Sequence, residues 1–440
     1  MSEHRTIVVL GCTSIYPHGA HQLRCVREQA ERRGIRLVGA DTAAHLEQFD
    51  DALDGLETIA VDFSDHRGLA ERAASAGADA VLTYKEAYVV LAAKVAKALG
   101  LKGNTPEAVE RLRHKDRFRL HLAAHGFDQP RLALADSAEA ALDIVDFAES
   151  ETWIVKPRSE SGSVGVAAVR DADQLRRACS GLEPPFIVEH FVSGDEYSVE
   201  GIFLNGRPVP LGITEKRVNH RFVETGHRID ADTLDTPFGK RASRTVADAM
   251  VASGLRHGAF HVELWKLGGQ IILGEAHIRP GGDFIHLLLQ ASRPGLELYG
   301  LLMDDLLGRP TDPESIPPAT RAAGIDYLDL PVGRVTAVGD WRSEARHPGL
   351  LDTCLDLSPG DTVEELTDST QRRGHVAVAA DTRTALDDDL PRLARLITET
   401  VRTALTLPPD PGGCHVPPPS GTAVARSPLR HKEAPCHVPR

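Results

Sequence analysis

Short apolar runs alternate with polar stretches of helical spacing along the first hundred residues. Thr6-Ile7-Val8-Val9-Leu10, residues 36–40 (RLVGA), 58–62 and 79–83 (DAVLT) read as strands, with helices between them. Strands that alternate with helices predict a parallel α/β layer, because each helix carries the chain back for the next parallel strand. A turn containing Gly11 and Gly19 follows the first run, but no G-x-G-x-x-G does. The layer is therefore expected to pack and to lend substrate contacts, not to hold a dinucleotide.

Past residue 100 the pattern changes. Thr105-Pro106-Glu107 reads as a helix start, with an N-cap, a proline at the first position and an acid in the first turn. One helix is expected to follow, carrying Arg111, Arg113, His114, Lys115, Arg117 and Arg119, with another helix-like stretch leading on to Gly126. An apolar run at 153–157 and two more within 186–204 read as strands. Residues 259–279 read as a hairpin turning at Gly268-Gly269, a pair that tolerates the tight turn. The proline-rich stretch 309–318 marks a boundary, and an α+β segment runs to about 405. From Pro408 the chain is dense in Pro, Gly and Ser and is expected to be disordered. Cys414-His415-Val416-Pro417 recurs there as Cys436-His437-Val438-Pro439, without the usual metal-ligand spacing.

Composition narrows the function classes. The 440 residues suit about three domains. A net charge of −13 argues against nucleic acid as a partner, since phosphate-backbone binders are usually basic. No apolar stretch approaches the ~20 residues of a membrane helix. Val9-Leu10-Gly11-Cys12 mimics a lipoprotein box, but its apolar run is far shorter than a signal segment. Six scattered cysteines form no disulfide framework, so a reducing cytoplasm is the expected compartment.

The candidate chemistry centres on residues 153–166, WIVKPRSESGSVGV. A strand, a small glycine-bearing turn and a second strand can cradle phosphate oxygens with backbone N–H groups, and Lys156 adds a compact positive charge. Three further elements accompany it. Lys115 lies in His114-Lys115-Asp116-Arg117. Glu189 and Glu196 lie in the run Val188–Glu200. Glu263 and Glu275 occupy the two arms of the hairpin, followed by His277-Ile278-Arg279-Pro280-Gly281-Gly282. Two carboxylates facing across a hairpin repel unless a cation separates them, and Mg2+ prefers a few carboxylates plus phosphate oxygens. His261-Val262-Glu263 has the H-x-E form of zinc deaminases, but no P-C-x-x-C follows.

These four elements, in this order, resemble the ATP-grasp superfamily over roughly residues 100–310. The resemblance implies an α/β and α+β ATP-grasp fold. Its parts would be a Rossmann-like pre-ATP-grasp domain (1–100), linker helices and a lid with the glycine loop (101–188), an ATP-grasp core (189–312), a C-terminal α+β lid domain (319–405) and a disordered tail (406–440). It implies ATP and Mg2+, or Mn2+, as cofactors. Lys115 and Lys156 would contact phosphates under a lid of Ser161, Gly162 and Ser163. Glu189 with the backbone of His190 and Val192 would meet the adenine, and Glu196 the ribose. Glu263 and Glu275 would hold the metal. Many members carry Asn where this chain has His277, so a substrate or packing role is expected there.

Within the superfamily, Gly212–Lys216, Arg221–His227, Pro331–Arg334 and Arg372–Val376 resemble stand-alone L-amino acid ligases. That resemblance implies a carboxylate–amine ligase that forms an acyl phosphate and couples it to an amine, giving a dipeptide-like amide, ADP and phosphate. Arg279 would neutralise the carboxylate and then the oxyanion. Gly281 and Gly282 would let the backbone approach the substrate, and Lys216, Glu224 and His227 would face it. The partners implied are small-molecule carboxylate and amine substrates, with neither nucleic acid nor membrane, and homodimers are common in the superfamily. A purine-pathway or carboxylase-type enzyme is the alternative, disfavoured by the ligase-like C-terminus. A non-catalytic nucleotide binder is disfavoured by intact Lys156, Glu263, Glu275 and Arg279.

Overall fold

The computed structural model describes residues 5–147, 151–158 and 165–404. Ser161, Gly162 and Ser163 of the expected lid, and the tail 406–440 with its Cys-His-Val-Pro repeats, lie outside the described residues.

The first strands form as their apolar runs predict. β1 (Thr6–Leu10) is buried along its whole length. It pairs in parallel with β2 (Arg36–Asp41) and β4 (Ala80–Leu82), and β3 (Glu57–Ala60) extends the sheet to the order β3-β2-β1-β4. One face packs through Leu23 and Val26 of the helix Pro17–Glu31 onto Tyr299, Leu302 and Met303 of the helix Leu298–Leu306. Gly300 allows this approach: a Cβ there would lie 2.1 Å from the Arg33 guanidinium carbon. Arg33 meanwhile pairs with Asp304 at 2.8 Å and with Glu297.

The break between the two helices expected after Thr105 falls earlier, at His114, giving Pro106–Arg113 and Lys115–Ala124. His114 leaves the helical region (φ −93°, ψ 100°) and breaks the run between them. Lys115 thus opens a new helix. Asp116 beside it receives both arms of Arg158, at 2.8 and 2.9 Å, which pins this turn to the end of the strand bearing Lys156.

Four antiparallel strands form the lid sheet: β5 (Leu132–Ala135), β6 (Trp153–Pro157), β7 (Ala167–Val169) and β8 (Phe186–His190), in the order β5-β8-β6-β7. The central sheet is larger. β9 (Asp195–Leu204), β10 (Arg207–Val218), β11 (Glu224–Ile229), β12 (Ala259–Leu267) and β13 (Gln270–His277) precede the proline-rich stretch, and β14 (Ala322–Tyr327) follows it. β15 (Gly333–Val338), β17 (Thr362–Val363) and β19 (Val401–Ala404) form a small separate sheet. β16 (Leu350–Leu355) and β18 (Gly374–Ala380) instead complete the central one, in the order β13-β12-β9-β10-β11-β14-β18-β16. The backbone ladder therefore crosses residues 309–318 unbroken, through β11 and β14.

Candidate active site

The site is built where the two arms of the expected hairpin face the lid sheet. β12 and β13 pair in register from His261–His277 to Leu267–Gln270, with an irregularity between Val262 and Leu264. Continuing the His261–His277 register sets Glu263 across from Glu275, and both line the same cavity. Each carboxylate already carries an ammonium partner. Lys115 Nζ lies 2.9 Å from Glu275 and Lys156 Nζ 3.8 Å from it. Lys216 lies 2.5 Å from Glu263, 2.7 Å from Glu224 and 3.5 Å from Glu196.

Electrostatics follow from these contacts. Burial opposes ionisation of Glu263, but Lys216 and His261 outweigh it and hold the carboxyl well below its usual range. Burial likewise opposes ionisation of Glu275; Lys115 and Lys156 outweigh it and lower its pKa. Glu196 behaves oppositely: burial dominates over Lys216 and pushes it up to about 7. Lys216 is itself buried, yet Glu224, Glu263 and Glu196 overcome that burial and raise its pKa well above the usual lysine value.

The donors suit a hard cation. Glu196, Glu224 and Glu263 bring carboxylate oxygens within 4.8 Å of one another, with the Lys216 ammonium against all three. Glu275 adds another oxygen donor at the cavity wall. Oxygen-only donor sets of this kind fit Mg2+.

Glu189 shares its carboxylate between Lys156 at 2.7 Å and Arg119 at 3.3 Å, all three buried. Its side chain thus positions Lys156. The backbone N–H of His190 donates to the Arg131 carbonyl at 2.8 Å. Val192 lines the same cavity.

Arg279 is oriented by a residue that sequence reasoning missed. Glu86, just past the C-terminal end of β4, accepts from Arg279 Nε at 2.8 Å, approaches His277 Nδ1 at 2.8 Å and pairs with Arg113 at 3.0 Å. Burial opposes ionisation of Glu86, but His277 and Arg279 outweigh it and keep it anionic far below the usual range. The available signal was position: ligands of parallel α/β sheets gather beyond the carboxyl ends of the strands. His277 Nε2 reaches to 4.0 Å from Glu275, so its ring bridges Glu86 and that carboxylate.

The two glycines after Arg279 differ. A Cβ on Gly281 would stand 2.9 Å from Ile285 Cβ, whereas one on Gly282 would meet nothing within 4 Å. Gly282 lines the cavity; Gly281 serves packing, which corrects the expectation that both open to substrate.

The far wall comes from β11, β14 and the C-terminal strands. Arg372 pairs with Asp283 at 2.7 Å, donates to the Glu224 carbonyl at 2.7 Å and stacks 3.9 Å from the Tyr327 ring centre. Asp283 and Phe284 both take positive φ, 50° and 62°, which turns the chain sharply after the two glycines. His227 is fully buried beside Asp283, and neither ring nitrogen has a hydrogen-bond partner among the described residues. All these groups line one cavity of about 1760 Å3, well beyond the ~300–1,000 Å3 of a typical single-ligand pocket.

Comparison with known proteins fits this geometry. An ATP-grasp domain matches residues 149–286, and an L-amino acid ligase C-terminal domain matches residues 327–402. The chain carries an ATP-grasp domain. Over 218 residues it is 28% identical to alanine–anticapsin ligase of Bacillus subtilis (strain 168), covering 43% of this chain and 45% of that protein. It thus spans about half the length of the curated relative. The L-amino acid ligase from Bacillus licheniformis superposes with a TM-score of 0.73 at 19% identity, over 92% of this chain and all of that one. A carboxyaminoimidazole ribonucleotide synthase from Aspergillus clavatus, complexed with ATP, gives a TM-score of 0.68 at 16% identity, over 90% and 99%. The expected ATP-grasp fold is borne out, with an amino-acid-ligase-like C-terminal part.

Proposed function

We propose that this protein is an ATP-dependent carboxylate–amine ligase that couples an amino acid, or an amino-acid-like carboxylate, to an amine. One observation carries the reading: Lys115, Lys156, Glu263, Glu275 and Arg279 line the same cavity as Arg372 and His375 of the ligase-type C-terminal part. A phosphate-binding pair, a cation-binding pair and a carboxylate-binding arginine thus share one chamber with room for more than a nucleotide.

The residues divide the work as follows. Lys115 and Lys156 bind the phosphates of ATP, exchanging Glu275 and Glu189 for phosphate oxygens. Glu263 and Glu275 would hold Mg2+, which would supply charge neutralisation on those oxygens. Arg279 presents its planar fork to the substrate carboxylate and to the charge that develops on it. Glu86 and His277 fix that fork in place. Walls from three parts of the chain exclude water from the activated carboxylate, which water would otherwise hydrolyse.

The test is ADP release across pairs of proteinogenic L-amino acids, with hydroxylamine as a trap. A ligase gives a hydroxamate with one carboxylate substrate and an amide with the correct pair. ATP binding with neither ADP nor hydroxamate for any substrate would overturn the reading.

A further inference from the structure

An amine reaches neutral solution as an ammonium ion and must lose a proton before it can attack. That proton needs an acceptor beside the incoming amine. Arg279, Lys115, Lys156 and Lys216 are cations, and Glu86, Glu189 and Glu263 are each held by cations of their own. A second acid–base pair lines the same cavity from the C-terminal part: His375 on β18 and Asp352 on β16, with Nε2 and Oδ1 2.7 Å apart.

This pair is out of character with its strands. β18 reads Gly374-His375-Val376-Ala377-Val378-Ala379-Ala380, fully buried, with the histidine its one polar side chain. His375 and Asp352 are 5% and 8% exposed. Two apolar side chains would fill such a place at lower desolvation cost, so stability alone does not account for the pair.

Its place in the cavity is also telling. The His375 ring lies 4.8 Å from that of Phe284, two residues beyond Gly282. The Tyr327 ring stands 6.2 Å away on β14. His18, from the first helix, lines the same cavity as Asp283, Arg279, His375 and Arg372. The charged or titratable groups around His375 are thus Asp352 and Cys354 on β16, Tyr327 on β14, Asp283 and Arg372 beside Phe284, and His18 and His21 on the first helix.

We propose that His375, positioned by Asp352, is the general base that deprotonates the attacking amine, an assignment that rests on the ligase reading above. The balance is simple. The ammonium gives one proton to His375, and the nitrogen lone pair forms the new C–N bond. The C–O bond to phosphate breaks with its electron pair on phosphate, and a second N–H proton leaves to solvent or phosphate. Asp352 offsets the charge of the resulting imidazolium and sets the ring's orientation.

Hydroxylamine discriminates, because it is already uncharged at neutral pH and needs no such base. With the amino-acid pair that the wild-type protein couples fastest, H375Q and D352N are compared with wild type in amide formation and in hydroxamate formation from the donor alone. Amide formation is expected to fall about 100-fold or more in H375Q, with hydroxamate formation preserved within about threefold. D352N, which keeps shape, is expected to fall less, and the amide rate of both variants should climb steeply with pH as free amine accumulates. Equal losses of both activities, or an amide rate and pH profile unchanged from wild type, would overturn the proposal. A wild-type protein that yields no hydroxamate would instead refute the ligase reading itself.

Discussion

At the scale of single residues, the site is a set of charges that neutralise one another. Glu275→Gln and Arg279→Ala should each abolish coupled ADP release while leaving the melting temperature within a few degrees; near-wild-type turnover would sink the assignment. Lys156, Glu263, Glu275 and Arg279 were legible because each sits in a short local motif whose spacing carries its chemistry. Glu86 was not, because its partner His277 lies 191 positions away and only the fold joins them. His21 carries a different consequence. Burial, with some help from Arg24, lowers its pKa to about 4, and its ring meets His286 at 2.8 Å. A histidine whose folded pKa is depressed contributes stability above its unfolded value near 6.5, lost as pH falls toward 4. That loss amounts to about 3 kcal/mol at about 1.36 kcal/mol per unit. His21→Gln should flatten the fall in unfolding free energy between those pH values; an unchanged slope in denaturant titrations would contradict the cause given.

At the scale of elements, small residues decide which surfaces touch. Gly281→Ala would press a methyl against Ile285, a cost of about 1–3 kcal/mol by overpacking, seen as a melting temperature lower by several degrees. Gly282→Ala meets open space, so it should leave stability unchanged and raise the KM of the carboxylate substrate. Equal effects of the two changes would contradict this division. Sequence patterning found the hairpin and the parallel strands because apolar runs and Gly-Gly turns are local signals. It set the break between the helices Pro106–Arg113 and Lys115–Ala124 too late because nothing in His114 itself marks the extended backbone that separates them. The tertiary grip of Arg158 on Asp116 fixes the second helix's start, and no periodicity records that.

At the scale of the whole molecule, one sheet binds the catalytic core to the ligase-type C-terminal part. A chain ended after residue 318 would strip β14 from β11 and expose a long unpaired edge, so it should be insoluble or aggregated on size exclusion. A soluble, monomeric truncation would show that the C-terminal strands only decorate the core. The proline-rich boundary was plain in the sequence, but strand partners across it were not, because pairing depends on register between distant segments. The lysines at Glu275 and Glu263 have a last consequence at this scale. The nucleotide-free protein already carries its own counter-ions, so loading is a cation exchange, not the filling of a vacancy. A divalent ion arriving alone must evict ammonium groups that have nowhere better to go. On the proposed reading, nucleotide supplies the phosphates that receive them. Calorimetric titration with magnesium chloride should therefore give little heat without ATP and a saturable signal with it, making ion and nucleotide a single thermodynamic ligand.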